Sequence, residues 1–199
     1  MDALFSTGAV RISTLFDWRN QGKYGEMTSD EFEGVYPGNG NLIFYDPTHA
    51  RSMLMDYSVE QTEHGRIITR RSIKSPNVFT FSAASHYSDA DHRKWFENEE
   101  YDACYRINSA RLFFRALSKH IADAEFLFFA DAEYVERDNP NHIVTGHFHP
   151  AIFKRKQEYA DQREVRALWG PKDSSKELNP FVIPQSAAGQ YCDPFRIIT

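Results

Sequence analysis

At 199 residues with 41% hydrophobic and 15% aromatic side chains, including 16 Phe and 10 Tyr, the chain is long enough to bury a core and too apolar to stay disordered. A formal net charge of -5 without a long Lys or Arg run excludes the counterion-driven grip of a basic arm on nucleic acid. A local patch at Arg66, Arg70, Arg71 and Lys74 still permits a nucleic-acid substrate.

Cys104 and Cys192 are too far apart for a short metal motif, and nothing suggests a disulfide framework. The N-terminal stretch lacks a basic region followed by an apolar run, and no segment nears the ~18 apolar residues that span a bilayer, so a cytoplasmic setting is expected.

Val10, Ile12 and Thr14 alternate with Arg11 and Ser13, the period of a strand that carries Arg11 on its polar face. From Phe16 to Gly40 the sequence is polar, with Trp18, Arg19, Tyr24 and an acidic cluster of Asp30, Glu31 and Glu33. It closes on a Pro37-Gly38-Asn39-Gly40 turn and gives way to a short strand from Leu42 to Tyr45. Long loops of this kind inside a domain are often functional. Residues 49–64 read as helical, and Arg66 to Ile73 as a strand with basic residues interleaved. Asn77 to Ser82, NVFTFS, is the strongest buried-strand signal of the N-terminal half, and the small residues Ala83, Ala84 and Ser85 that close it leave space for a ligand.

Asp89 to Glu100, charged around Trp95 and Phe96, reads as a short helix or loop, and Tyr101 to Ile107 as a strand. Ser109 stands where it would cap a helix over 110–123, with an apolar stripe of Leu112, Phe113, Ala116, Leu117, His120 and Ile121. His120 there reads as a residue at the core's edge. Two strand-like segments follow between Glu125 and Arg137. In HIVTGHFHP, His147 and His149 stand two apart and on a strand share a face able to hold a metal. No Cys or third His stands at a standard spacing, so no metal is expected. The tail after Gly170 is an irregular, proline-rich wrap whose apolar end, Phe195 to Ile198, offers an edge strand.

The chain is organised around Phe153 to Trp169. Read as a connection feeding a strand, it sends Glu164, Arg166 and Leu168 to one face and Val165, Ala167 and Trp169 to the other, with Gln162 on the face of Glu164. An edge strand with a solvated charged face accounts for this pattern, and so does a site built of three long polar side chains.

Arg11 on an early strand, the apolar FTFS ending in Ser82, and the late Gln162-x-Glu164 together resemble the Arg, Ser, Glu layout of the ADP-ribosyltransferase superfamily. The late motif of that superfamily is Glu-x-Glu or Gln-x-Glu. A second resemblance covers more of the chain. The acidic loop after the first strand, Phe-x-Phe-Ser, a Tyr-Val-Glu strand, and Phe153, Lys156, Tyr159, Glu164 and Arg166 are similar to a family of small bacterial and phage-defence proteins. That family carries Glu where Gln162 stands here. The middle motif also departs from the superfamily's Ser-Thr-Ser, and Arg19 competes with Arg11 as the early Arg.

The resemblance implies an α+β fold: a single domain over 1–199 of mixed, mainly antiparallel sheets packed with a few helices, wrapped irregularly from about 170. It implies NAD as substrate and a macromolecular acceptor, RNA, DNA or protein, with an antitoxin partner if the protein is a toxin. Glu164 would bind a ribose hydroxyl and stabilise the positive charge that develops as the nicotinamide bond breaks, with Gln162 touching the acceptor or the ribose. Arg11, or Arg19, would hold phosphate or ribose oxygens, Ser82 with Phe81 would support the nicotinamide end, and Tyr159 would stack against a ring. Hydrolysis of NAD without an acceptor, a silent binding module, and a metal-dependent hydrolase on His147 and His149 stay open beside it.

Overall fold

The computed structural model describes residues 7–20, 22–23, 33–37, 54–61, 67–99, 103–135, 149–155 and 159–197. In chain order these give β1 (Val10–Thr14), β2 (Val35–Pro37), β3 (Leu54–Gln61), β4 (Ile67–Lys74) and β5 (Phe79–Ala84). Helix α1 (Asp89–Glu99), β6 (Ala103–Ile107), helix α2 (Ala110–Ser118), β7 (Ala124–Asp131) and β8 (Glu133–Val135) follow. The chain ends with β9 (Phe153–Arg155), β10 (Glu164–Pro171), β11 (Phe181–Ile183) and β12 (Cys192–Ile197). This is a mixed α+β arrangement. The main sheet runs β11-β1-β5-β10-β7, every neighbouring pair antiparallel, and smaller antiparallel sheets are formed by β2-β4-β3 and by β12-β6. The short β8-β9 pair is parallel.

The alternation in Val10–Thr14 puts Val10 and Ile12 into the core and leaves Arg11 exposed, as a half-buried strand requires. Helix α2 covers that apolar face. Phe113, Phe114, Ala116 and Leu117 of α2 pack with Ile12, Phe79, Ala167 and Trp169 of the sheet and with Ala188 and Cys192 of the tail. Aromatic edges lock the layer: Phe81 meets Phe113 at 5.3 Å between centroids and Phe126 meets Trp169 at 5.5 Å. The Trp169 indole N–H donates to Ser118 Oγ at 2.8 Å, which in turn donates to the Phe114 carbonyl. Ser109 sits at the start of α2 without a side-chain capping bond, and the helix ends at Ser118, short of 123. Leu112 and His120, two members of the expected stripe, are exposed, and Phe114 takes the buried position instead.

Within the stretch 49–64 expected to be helical, the described residues Leu54–Gln61 are strand β3 instead, paired residue for residue with β4 from Leu54 opposite Lys74 to Gln61 opposite Ile67. Tyr57 and Val59 favour a pleated ribbon, and the ladder offered by the β-branched β4 outweighs the helix preference of Met, Leu, Glu and Gln. The expected strand at 42–45, Arg66, Tyr101 and His147 lie outside the described residues. The C-terminal wrap contributes two strands rather than one. Strand β11 lines the edge of the main sheet, with Val182 opposite Arg11, and β12 pairs with β6. Among the described residues no helix is long and apolar enough to cross a membrane.

Candidate functional site

The sequence FKRKQEYADQREVRALW turns on Arg163. A 3-10 turn over Ala160–Gln162 ends there with φ 44°, a left-handed conformation that is unfavourable for a residue with a Cβ. The turn is pinned from β5's end, because the Ser85 backbone N–H and its hydroxyl both donate to the Arg163 carbonyl at 2.8 Å. This bend delivers Gln162 and Glu164 to the same place.

Strand β10 then runs between β5 and β7, with Arg166 opposite Ser82 and Val165 opposite Asp131. Being interior, it is paired along both edges, and Glu164, Arg166 and Leu168 on its polar face are buried, so the solvated charged face of an edge strand is not found here. Glu164 and Arg166 are buried beneath the segment from His149 to Lys154 and beneath Glu33.

The burial of these charges is balanced pairwise. Arg166 Nε donates to Glu164 Oε1 at 2.6 Å and Nη2 to Oε2 at 3.3 Å, while Lys154 Nζ meets Glu164 Oε2 at 2.6 Å and donates to Gln162 Oε1 at 2.8 Å. Arg166 also pairs with Glu33 and donates from Nη1 to the Ala151 carbonyl at 2.5 Å. Among the described residues these two carboxylates and two cations balance as a neutral quartet, which is the condition for keeping charges out of water.

Glu33 is brought in by Gly34, at φ 69°, where any Cβ would run into Leu15. Arg19 Nε holds the Glu33 carbonyl at 2.9 Å. The backbone of Glu164 is tied as well, its N–H donating to Tyr134 Oη at 2.9 Å.

Burial alone would raise the Glu164 pKa, but the guanidinium of Arg166 and the ammonium of Lys154 outweigh it and hold the carboxyl well below the usual carboxylate range. Burial likewise works against the charge of Arg166, and Glu164 and Glu33 more than restore it. The phenol of Tyr134 is pushed up, chiefly by burial.

Beside the quartet opens a cavity of about 770 Å³. One wall is the polar face of β1 and β5, carrying Arg11, Ser13, Thr80, Ser82 and Ala84, continued by Gln162, Glu164, Lys154 and Arg166. The other is built from Tyr87, His92 and Trp95 of α1 and its approach, from Tyr105 and Arg106 of β6, and from Phe195 of β12. Phe195 packs edge-on against Tyr87 at 4.9 Å, and the Arg106 guanidinium lies 5.8 Å from the Phe195 ring centre.

Of the residues singled out in the sequence, Arg11, Phe81, Ser82, Gln162 and Glu164 border this cavity. Arg11 pairs with Asp17 at 3.1 Å. Arg19 and Tyr159 are not among the lining residues. Arg19 lies 4.2 Å over the Phe16 ring and fastens Glu33, while Tyr159 is buried with its ring 4.7 Å from Lys154 Nζ.

Residue pattern alone did not single out Lys154 or His92, and it gave Glu33 only as one of an acidic cluster. Lys154 sits in a run of cations and Glu33 in a run of acids, and only the folded chain makes them partners. His149 is buried against Phe128, and its Nδ1 accepts the Ala151 N–H at 3.2 Å. Among the described residues no group of three His, Cys, Asp or Glu is placed to hold a metal.

No protein-family model matches the chain, and neither a curated protein nor a solved structure matches it.

Proposed function

We propose that this chain is an NAD-dependent ADP-ribosyltransferase with an ADP-ribosyltransferase-like fold, modifying a nucleic acid or protein as a bacterial toxin or anti-phage effector. The observation that carries the reading is that Arg11, Ser82 and Glu164, on the neighbouring strands β1, β5 and β10, border one cavity. Its ~770 Å³ falls within the roughly 300–1,000 Å³ of small-molecule and cofactor sites. The lining suits a dinucleotide in kind: aromatic faces at Tyr87, Trp95 and Phe195 for flat rings, and guanidinium groups at Arg11 and Arg106 for phosphates.

NAD supplies the activated glycosidic bond. The chain's part is to hold its phosphates with Arg11, to orient the nicotinamide end with Ser82 and Phe81, and to present a carboxylate that stays ionised to the positive charge of the transition state. Glu164 is that carboxylate. The Lys154 ammonium, shared between Gln162 and Glu164, stands where a ribose hydroxyl would reach the carboxylate. Gln162, only partly buried, is left to meet the acceptor.

A second reading is favoured by one observation: both oxygens of Glu164 are already held by cations. A carboxylate neutralised in that way is a fastener of the fold, and the cavity is then a nucleotide-binding site without turnover.

Incubation of the purified chain with NAD labelled in its adenylate phosphate, together with cell RNA, DNA and protein, separates the two. Label transferred to one fraction, and reduced at least tenfold by the exposed-site changes Arg11→Ala and Ser82→Ala, supports transfer. Binding of NAD without label in any fraction supports the binding module.

A further inference from the structure

Helix α1 begins with a local cap: Ser88 Oγ accepts the Asp91 N–H at 3.0 Å and donates to Asp91 Oδ2 at 2.7 Å. The cap sets His92 in the first turn, facing the cavity, its ring edge-on to Tyr87 at 5.8 Å. The Tyr87 hydroxyl donates its single proton to Asp89 Oδ1 at 2.7 Å, so its 3.4 Å contact with His92 Nδ1 is one in which the imidazole donates. In the neutral imidazole that arrangement places the proton on Nδ1 and leaves a lone pair on Nε2.

His92 is 8% exposed, and its Nε2 has no hydrogen-bond partner among the described residues. Thr80, 2% exposed on the β5 wall of the same cavity, has a hydroxyl in the same condition. Buried polar atoms are almost always satisfied, and two orphans lining one cavity mark where a ligand's polar groups belong.

We propose that His92 Nε2 and Thr80 Oγ1 form a nucleoside subsite, in which His92 accepts a hydrogen bond from a sugar hydroxyl while the base lies against the aromatic wall of Trp95 and Phe195. The subsite rests on the proposed reading only in using the same cavity, and it concerns binding rather than bond cleavage. It gives the α1 wall a function that the motifs on β1, β5 and β10 do not supply.

The test compares adenosine with adenine, which lacks every hydroxyl, by calorimetric titration of wild type, His92→Phe and Thr80→Val. His92→Phe keeps a ring against Tyr87 and removes both nitrogens, Nε2 and the Nδ1 that contacts the Tyr87 hydroxyl. The expected result is that adenosine binds wild type more tightly than adenine does, that His92→Phe weakens adenosine about tenfold and leaves adenine unchanged, and that Thr80→Val does the same more weakly. The imidazole ¹⁵Nε2 resonance of His92 in the wild type moves when adenosine is added and stays when adenine is added.

Equal loss of both ligands, no change in either, or no adenosine binding by the wild type at millimolar concentration overturns the subsite. Nicotinamide release from NAD, read in parallel, keeps the two ideas apart. Turnover with an unchanged KM in His92→Phe removes the subsite alone. Loss of the adenosine preference in His92→Phe without any turnover of NAD removes the transferase reading alone.

Discussion

The two faces of the main sheet bury their side chains by opposite means. Under α2 the closure is apolar and aromatic, with Leu117, Phe113, Ile12 and Trp169 fully or nearly fully buried. On the other face it is ionic, with Lys154, Glu164, Arg166 and Glu33 buried in a neutral quartet. Hydrophobic closure is a sum of many small terms and degrades gradually when one side chain is trimmed. Ionic closure depends on balance, so removing one member leaves its partner as a buried, uncompensated charge. The face bearing the cavity is therefore the less tolerant one.

The sharpest break in that comparison is Arg166→Met, which leaves both Glu33 and Glu164 without the guanidinium. It is expected to cost at least the ~3–5 kcal/mol of a broken buried pair, measured by urea unfolding. Adding Glu33→Gln to that variant should restore part of the loss. Strict additivity of the two changes would remove the claim of a coupled quartet. Leu117→Ala on the opposite face should cost about 2–5 kcal/mol and should add independently to changes in the quartet.

The two faces also differ in their response to acid. The Glu164 carboxyl is held below its unfolded value, so its contribution is fully present above the unfolded pKa of roughly 4.3 and is lost as pH falls below it toward the depressed folded value. Wild type and Leu117→Ala should lose stability in parallel below about pH 4, whereas Glu164→Gln should show a shallower slope there. Identical slopes in all three would show that Glu164 is not the acid-sensitive fastener.

The smallest effect is at the bend that feeds the site. Arg163→Gly relieves the left-handed strain and should change stability by no more than ~1 kcal/mol, in the stabilising direction, whereas Arg163→Val should destabilise. Thermal unfolding of the two variants side by side reads that difference.

The apolar face was the legible one. Alternation in Val10–Thr14, the apolar run within Asn77–Ser82 and the apolar positions of α2 mark strands and helix from local pattern alone, although the stripe on α2 turned to include Phe114 in place of Leu112. The polar face was legible only as a list of residue types. Glu164 and Arg166 alternate with Val165 and Ala167 as they would on a solvated edge, and nothing local tells that β7 pairs with the edge of β10 and that the segment around Ala151 closes over them. Lys154 lies ten positions before Glu164 and Glu33 far earlier still, so their pairing is a tertiary fact. His92 was hidden for the same reason, since its significance lies in the partner it lacks. At 54–61 the pattern misled outright, because a neighbouring strand overrode the helix preference of the segment.

The most direct test is nicotinamide release from NAD by the purified chain with cell RNA, DNA and protein present, comparing wild type with Ser82→Ala and with Glu164→Gln at a temperature where thermal unfolding shows all three folded. The account predicts release by the wild type, at least a tenfold reduction in Ser82→Ala, and loss in Glu164→Gln. Release that persists unchanged in the folded Glu164→Gln protein, or no release by the wild type with any acceptor, would contradict it.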